Sequence, residues 1–590
     1  ALTYNQFNSD SRAPDIAGAR LQQALNGFGG PNCEAQDLDP LRYGTQNPAA
    51  AGTNGCMWYN PFASNFAGQP VLGLANPSYD ASASNDPALI AWLFDPRETL
   101  NTSWNLTLDA VFSGDTGIQL PGGTIAWGAG LQWRDTQTRD TVESPLYNGS
   151  QPCAWPDQVA VSPDDPRYTG CLPDRPGPFF FFDTNEPSPT EQQQESYFLE
   201  LSLPVLDTLN MTAAVRHESF TGDLSATVYK VSGKWDITDN LALRGSYGDN
   251  YQAPGAGIVP GEVNNGVTSY SVAGGDWRGT QTVTDTGIEP ETATVWSAGL
   301  IWDSVGFADD HDLRIIVDYF DLETQDELGL LAGTNDIADA VFSIAPAGAS
   351  SVPRNGTALA DCSHPMAARV TFNGGSCVQG VTTANDFSSI RTIYGNGPGQ
   401  HTAGWDMQLD YTMPVGPGEF RFGTTVTKVE TFEFSETVLD GVVLDPGEDR
   451  LGKLNFAAVA SAAPEMRANV NLNYRWGDQN LRLVVNYIEG VVDDRYVDDD
   501  GTVNETALIP SGRPTGGTGS LLPSYYGVFA EDWYSTDLHY IWDWEWATLN
   551  FSVVNILDEM PPESRQELGY DPRIGNPLGR TFEIGIRKTF

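Results

Sequence analysis

The 590-residue sequence has no uninterrupted apolar run of the roughly 20 residues that a membrane-spanning helix needs. Basic residues are few: 31 Lys and Arg stand against 77 Asp and Glu, a formal net charge of −46. A chain so acidic repels phosphate, so nucleic acid is excluded as a partner. Only five His occur, and no HExxH pairs two of them at zinc-binding spacing. Neither a Gly-x-Ser-x-Gly elbow nor a Walker loop is found, and no enzymatic activity is expected. Gly395-Asn396-Gly397-Pro398-Gly399 is glycine-rich, but it interrupts a strand pattern instead of opening a helix, so it is no phosphate cradle. No signal peptide is recognisable at Ala1, which places any targeting segment upstream or among removed residues.

What is present is alternation. The chain holds 40% hydrophobic and 11% aromatic residues, enough to bury apolar surface and argue against wholesale disorder. Its mean hydropathy of −0.30 is unexceptional. That is expected where half of each strand faces water. Trp104, Leu106, Leu108, Ala110 and Phe112 share one face of a strand, and Ile125, Trp127, Ala129, Leu131 and Trp133 share another. Ser113-Gly114-Asp115-Thr116-Gly117 between them reads as the hairpin turn. The pattern recurs in Met466 to Trp476, Trp405 to Met413, Tyr534 to Trp542 and Ala547 to Val553. It closes the chain, where Phe582, Ile584 and Ile586 alternate up to the terminal Phe590, a C-terminal barrel-assembly signal. These strands exceed the five or six residues usual in globular sheets, and Trp sits near the ends of apolar faces (Trp104, Trp133, Trp476, Trp542), as in interfacial girdles.

About 15 strands are expected near 101–113, 122–137, 193–204, 209–219, 224–237, 241–251, 291–303, 312–325, 388–413, 419–431, 464–476, 480–490, 530–542, 547–556 and 579–590. Short connections such as Val415-Gly416-Pro417-Gly418 alternate with long ones. Bacterial barrels turn the short ones to the periplasm and the long ones outside. The reading is an all-β, transmembrane antiparallel β-barrel over residues 97–590, preceded by an extracellular loop region over 1–96. It places the N-terminus outside and leaves an odd strand count that cannot close alone.

Six cysteines fall in three local pairs within the long connections: Cys33 with Cys56, Cys153 with Cys171, and Cys362 with Cys377. None forms a CxxC, so loop-stapling disulfides in an oxidising compartment are expected over zinc or redox centres. Other pairings stay open. Two aromatic clusters lie beside cysteines: Trp58, Tyr59, Phe62 and Phe66, and Phe179, Phe180, Phe181 and Phe182. Such rings either pack loops together or form a first capture surface for a ligand. Asp493, Asp494, Asp498, Asp499 and Asp500 are either a solvated acidic loop or weak Ca²⁺ ligands, since Tyr496 breaks the EF-hand pattern. No other cofactor is expected.

Several segments together resemble the C-terminal barrel portion of TonB-dependent outer-membrane receptors. Leu243 to Pro254 is similar to the family's R-x-S-Y-x-x-x-[FY]-x-A-P segment. Gly287-Ile288-Glu289-Pro290-Glu291-Thr292 resembles its L-x-P-E-T strand start, and Gly404-Trp405-Asp406 its Gly-hydrophobic-Glu. Asn555-Ile556-Leu557-Asp558 resembles N-L-F-D of the penultimate strand, and 579–590 the closing strand. The resemblance implies a 22-stranded barrel with an N-terminal plug, of which this chain lacks the plug, the TonB box and roughly seven strands. Either the chain is an incomplete sequence or the receptor is split between two polypeptides. It further implies outer-membrane lipid and lipopolysaccharide as surroundings, periplasmic TonB as a partner acting through the absent plug, and energised uptake of a siderophore, vitamin or oligosaccharide. The alternatives are a non-transporting surface barrel and a passive porin.

Overall fold

The computed structural model describes residues 1–35, 47–69, 74–142, 189–222, 224–308, 310–455, 461–494, 529–564 and 568–588. Its main body is one antiparallel sheet. The strands are β1 (Leu2–Ile16), β2 (Phe94–Leu120), β3 (Gly123–Val142), β4 (Thr190–Leu206), β5 (Leu209–Phe220) and β6 (Leu224–Thr238). They continue with β7 (Leu241–Gln252), β8 (Glu291–Ala308), β9 (His311–Gln325), β10 (Gln400–Val415) and β11 (Gly418–Phe434). The last are β12 (Met466–Trp476), β13 (Gln479–Ile488), β14 (Trp533–Trp544), β15 (Ala547–Val554) and β16 (Thr581–Arg587). Each pairs with the next, from β1–β2 through to β15–β16. Among the described residues no register joins β16 to β1.

Every strand expected from the alternation is present, and the differences are local. One long strand of this sheet was not foreseen: β1 lies inside the region read as loop, pairing with β2 from Leu2↔Leu108 to Ile16↔Phe94. Ala1 accordingly donates to the Asp109 carbonyl (2.7 Å), midway along β2 and away from the long connections. The expected strand 388–413 is two: Phe387–Asn396 belongs to a separate sheet, and β10 begins at Gln400 after the glycine-rich break. The β2–β3 turn falls at Pro121-Gly122, not at Ser113–Gly117. The earlier glycines instead take up a register shift between Asp115 and Gln119, with Gly117 at φ +78°.

Cross-strand registers show how cleanly the sheet divides into two faces. One row reads Phe422, Leu472, Leu483, Leu538, Val553, Phe582 across β11 to β16. The row one residue away, on the opposite face, reads Arg421, Asn473, Arg482, His539, Ser552, Glu583. The first face is not a protein core. Leu300, Trp302, Met407, Leu481, Tyr534 and Phe551 are exposed on it, and Phe582, Ile584 and Ile586 are 71%, 74% and 67% exposed. The three buried clusters found among the described residues all involve the long connections.

The largest of these clusters is a domain built from three connections (β7–β8, β9–β10 and β11–β12). Its sheet joins Val263–Tyr270 and Asp276–Thr284 of the first to Leu328–Leu330, Val370–Phe372 and Phe387–Asn396 of the second. The strands Asp276–Thr284 and Phe387–Asn396 pair in parallel, from Gly279↔Ser389 to Thr284↔Tyr394. Tyr270, Ile337, Phe342, Met366, Phe387 and Ile390 are fully buried there, and Leu439 of the third connection joins them. Buried Arg369 donates to Asp440 at 2.7 Å, linking the second connection to the third and holding the Asp440 carboxyl below its usual range.

Tyr270 gives this domain a pH signature. Burial pushes its phenol up to about 12, and its hydroxyl donates to the Gly279 carbonyl at 3.2 Å. A raised folded value means the contribution is intact below the unfolded value of about 10 and is lost as pH rises through about 12. Hydrogen exchange of residues 263–284 should therefore accelerate over that window, and Tyr270→Phe should flatten the added pH dependence.

Candidate functional site

The polar face of the sheet carries the chemistry. Alternation puts Arg244 of β7, Gly299 of β8 and Asp318 of β9 on it in one row. Arg244 reaches across the glycine to Asp318, with Nε donating at 2.7 Å and a second bond between Nη2 and the other carboxylate oxygen. A side chain at position 299 closes that path, because a Cβ there would lie 1.9 Å from Asp318 Oδ1. Gly299→Ala should thus cost about 1 kcal/mol, modest because Arg244 is half exposed. Adding Asp318→Ala should then cost nothing further, which a double-mutant cycle on urea midpoints in vesicles checks.

Between β9 and β16 the polar face forms two tiers. Toward the short turns, a cavity of about 640 Å³ is lined by Arg314, Asp410, Arg421, Asn473, Arg482 and His539, among others. Arg482 donates to Asn471 (2.9 Å), and His539 pairs with Ser552 (2.9 Å). Toward the long connections lies a cavity of about 600 Å³. Amide and hydroxyl side chains, among them Thr425, Thr427, Asn469, Asn486, Ser535 and Asn555, make up about half of its lining, Arg467, Asp537 and Glu583 are the charged members, and Ala468, Ile488, Val554 and Leu578 are among the apolar ones. Many of these groups hold each other. Asn469 donates to Thr425 (2.5 Å), Thr427 to Asp406 (2.6 Å), and Asn486 to Ser535 (3.1 Å) and Asp537 (3.2 Å). Asp537 also accepts the Asn555 backbone N–H at 2.8 Å. Trp533 lines the same cavity and packs against Leu454, Val491, Ala530 and Ile574 under the long connections.

Comparison with known families decides what this wall belongs to. The family model described as "TonB dependent receptor-like, beta-barrel" matches residues 3–556. The chain belongs to the TonB-dependent receptor family. No curated protein matches it. Among solved structures, a mutant ferric enterobactin receptor PfeA from Pseudomonas aeruginosa, in complex with enterobactin, is similar at 12% identity and a TM-score of 0.48. The match covers 86% of this chain and 56% of that one. The siderophore receptor PirA from Acinetobacter baumannii is similar at 13% identity and a TM-score of 0.49, covering 84% and 56%. The FrpB iron transporter from Neisseria meningitidis is similar at 12% and 0.43, covering 83% and 55%. The chain spans little more than half the length of these structures, and likeness this distant carries no argument about ligands.

In a TonB-dependent receptor barrel the apolar face meets lipid and the polar face lines the interior. The C-terminal residues Phe582, Ile584 and Ile586 lie together on the apolar face of β16. Phe590 falls outside the described residues. Disulfides join Cys33 to Cys56 and Cys362 to Cys377, while Cys153 and Cys171 lie outside the described residues. In the β1–β2 connection, helices α1 (Gly18–Leu25) and α2 (Pro87–Leu93) bury Ala24, Leu89 and Leu93 against partly buried Tyr59. Trp58, Phe62 and Phe66 project from this unit and are 57%, 73% and 52% exposed. The Trp58 ring lies over Gly27 and Gly52, where an added Cβ would stand 2.5 Å and 2.7 Å from it. Phe179 to Phe182 lie outside the described residues. Asp493 is buried and Asp494 follows β13's loop, while Asp498, Asp499 and Asp500 are outside the described residues. Among the described residues no group of three or more His, Cys, Asp or Glu is arranged to hold a metal.

Sequence reasoning did not single out either interior cavity or the three-connection domain. The cavity residues were visible only as the polar half of each alternation. Their convergence depends on registers that span six strands.

Proposed function

We propose that this chain is the wall and loop portion of an outer-membrane transporter that takes up a scarce ligand with energy delivered by periplasmic TonB. The observation that carries the reading is the sheet itself: an uncovered apolar face backs directly onto a polar face with a cavity at its long-connection end. The long connections, including the disulfide-bearing β1–β2 unit and the three-connection domain, lie outside the cell. Trp58, Phe62 and Phe66 offer a first contact surface. Polar interior residues from the upper cavity to the Arg-rich lower tier line the route once the plug moves.

The test is capture of the periplasmic domain of TonB by the full-length receptor in lipid nanodiscs. The expected result is specific capture, abolished by deleting the plug's N-terminal segment. A full-length protein that neither captures TonB nor changes with that deletion would move the reading to a non-transporting surface barrel or a porin.

A further inference from the structure

We propose that the β1–β2 connection captures an arginine-bearing peptide on its exposed aromatic rings. This rests on the transporter reading above, which puts the connection outside the cell, and adds the chemical class of a ligand. The rings are held from behind and left open in front. The Trp58 indole rests on Gly27 and Gly52, two positive-φ glycines with no side chain to cover it, and the ring is still 57% exposed. Phe62 and Phe66 flank a short turn whose backbone is fixed by asparagine amides. Asn76 donates to the Ala63 and Phe66 carbonyls (2.7 and 2.8 Å), Asn60 to the Ala83 carbonyl (2.8 Å), and Asn85 to the Asn60 carbonyl (2.9 Å). The turn therefore does not depend on the two rings, which are 73% and 52% exposed. Exposed Tyr79 is brought to the same turn, since the Asp80 N–H next to it donates to the Ser64 carbonyl at 3.0 Å. Rings fixed in place and open to solvent cost little entropy when a partner covers them.

Charge selects the occupant. Among the described residues of this connection the carboxylates are Glu34, Asp80 and Asp86, all exposed, and the one basic side chain is Arg20. Arg20 is already engaged, donating to the Trp92 and Phe94 carbonyls (3.0 and 3.2 Å) and to Asp95 (3.1 Å). Asp80 accepts the Ser82 hydroxyl (2.7 Å) and N–H (2.9 Å), which hold its carboxyl below the usual range and keep it ionised. Glu34 sits beside the disulfide, its N–H donating to the Asn54 carbonyl at 3.3 Å, and Asp86 follows the Asn85 that holds the turn. A catecholate, phosphate or uronate arriving here meets carboxylates. A cation is drawn both by them and by the negative faces of the rings, and the net charge of −46 steers it in. Arginine suits the surface better than lysine, because its flat guanidinium stacks on a ring while its N–H groups reach a carboxylate. Rings and carboxylates on separate turns provide for more than one cation, which favours a peptide over a single small ion.

The experiment titrates fluorescein-labelled peptides with the full-length receptor in nanodiscs of zwitterionic lipid, empty nanodiscs being subtracted. One peptide alternates arginine with serine; its companions replace every arginine with lysine, citrulline or glutamate. The arginine peptide is expected to bind, the lysine peptide more weakly, and the citrulline and glutamate peptides not at all, with affinity falling as salt rises. Phe62→Ser and Trp58→Leu should each weaken arginine-peptide binding about threefold to tenfold, and Asp80→Asn should weaken it too. Intact mass verifies the Cys33–Cys56 bridge in each variant. Phe62→Ser removes a ring that the turn does not depend on, so it decides the matter even where Trp58→Leu disturbs the loop. Equal binding of the lysine, citrulline or glutamate peptide overturns the proposal. So does binding of none of the peptides, or arginine-peptide binding indifferent to Phe62→Ser and Asp80→Asn, which is diffuse attraction to an acidic chain. TonB capture that persists alongside such a result leaves the transporter reading standing and removes only the peptide.

Discussion

Phe387→Ala should destabilise the three-connection domain by about 3–5 kcal/mol and leave the barrel wall intact. Phe387 is fully buried, edge-on to Tyr270 at 5.0 Å and stacked on Phe342 at 5.2 Å between ring centroids. Tyr270 comes from one connection and the other two rings from the next, so the substitution empties the point where separate loops become one unit. The barrel sheet shares none of this core; its strands are held by their own ladders. Hydrogen exchange should therefore speed up by about two to four orders of magnitude over 263–284 and 387–396, with the heat-modifiable mobility of the barrel retained. Unchanged exchange would show that the loops do not share a core. Joint loss of both would show that the domain props up the wall.

Leu472→Arg should sharply reduce the folded protein recovered in the outer membrane, whereas Asn473→Arg should not. The two positions are adjacent on β12 and face opposite ways. Leu472 stands in the apolar row between Phe422 and Leu483, and Asn473 in the polar row between Arg421 and Arg482. An arginine on a barrel's lipid face near the midplane costs about 2–4 kcal/mol, and less toward the interfaces, while interior positions tolerate charge. Added charge between Arg421 and Arg482 carries some repulsion, which interior water screens. Equal losses from both substitutions would deny that the faces differ.

How much of this was legible in the sequence follows from the range over which each feature acts. Strands such as β12 and β16 announce themselves because their side chains alternate without interruption, and alternation is a property of consecutive residues. β1 escaped because Gln6 and Asn8 stand on the face where Leu2 and Tyr4 are apolar, so the period fades after four residues. The join between Asn396 and Gln400 was seen as a break, but two extended segments on either side of it read as one strand. That they belong to different sheets depends on partners more than 100 residues away, as in Gly279↔Ser389. The cavity was beyond reach for the same reason: Thr425, Asn486 and Ser535 become neighbours only through the registers of β11 to β14. Two of the three expected cysteine pairs are seen, and they were readable because each closes a short loop, Cys33 to Cys56 over 23 residues and Cys362 to Cys377 over 15.

The account depends on hydrocarbon bathing the apolar face. Spin labels attached singly at positions 470 to 475 of β12, in receptor reconstituted into vesicles, measure this directly through collision with oxygen, which partitions into lipid, and with a water-soluble nickel chelate. Oxygen accessibility should peak at 470, 472 and 474, and nickel accessibility at 471, 473 and 475. Labels at 470, 472 and 474 shielded from both reagents would mean that protein covers that face, and the account would be wrong.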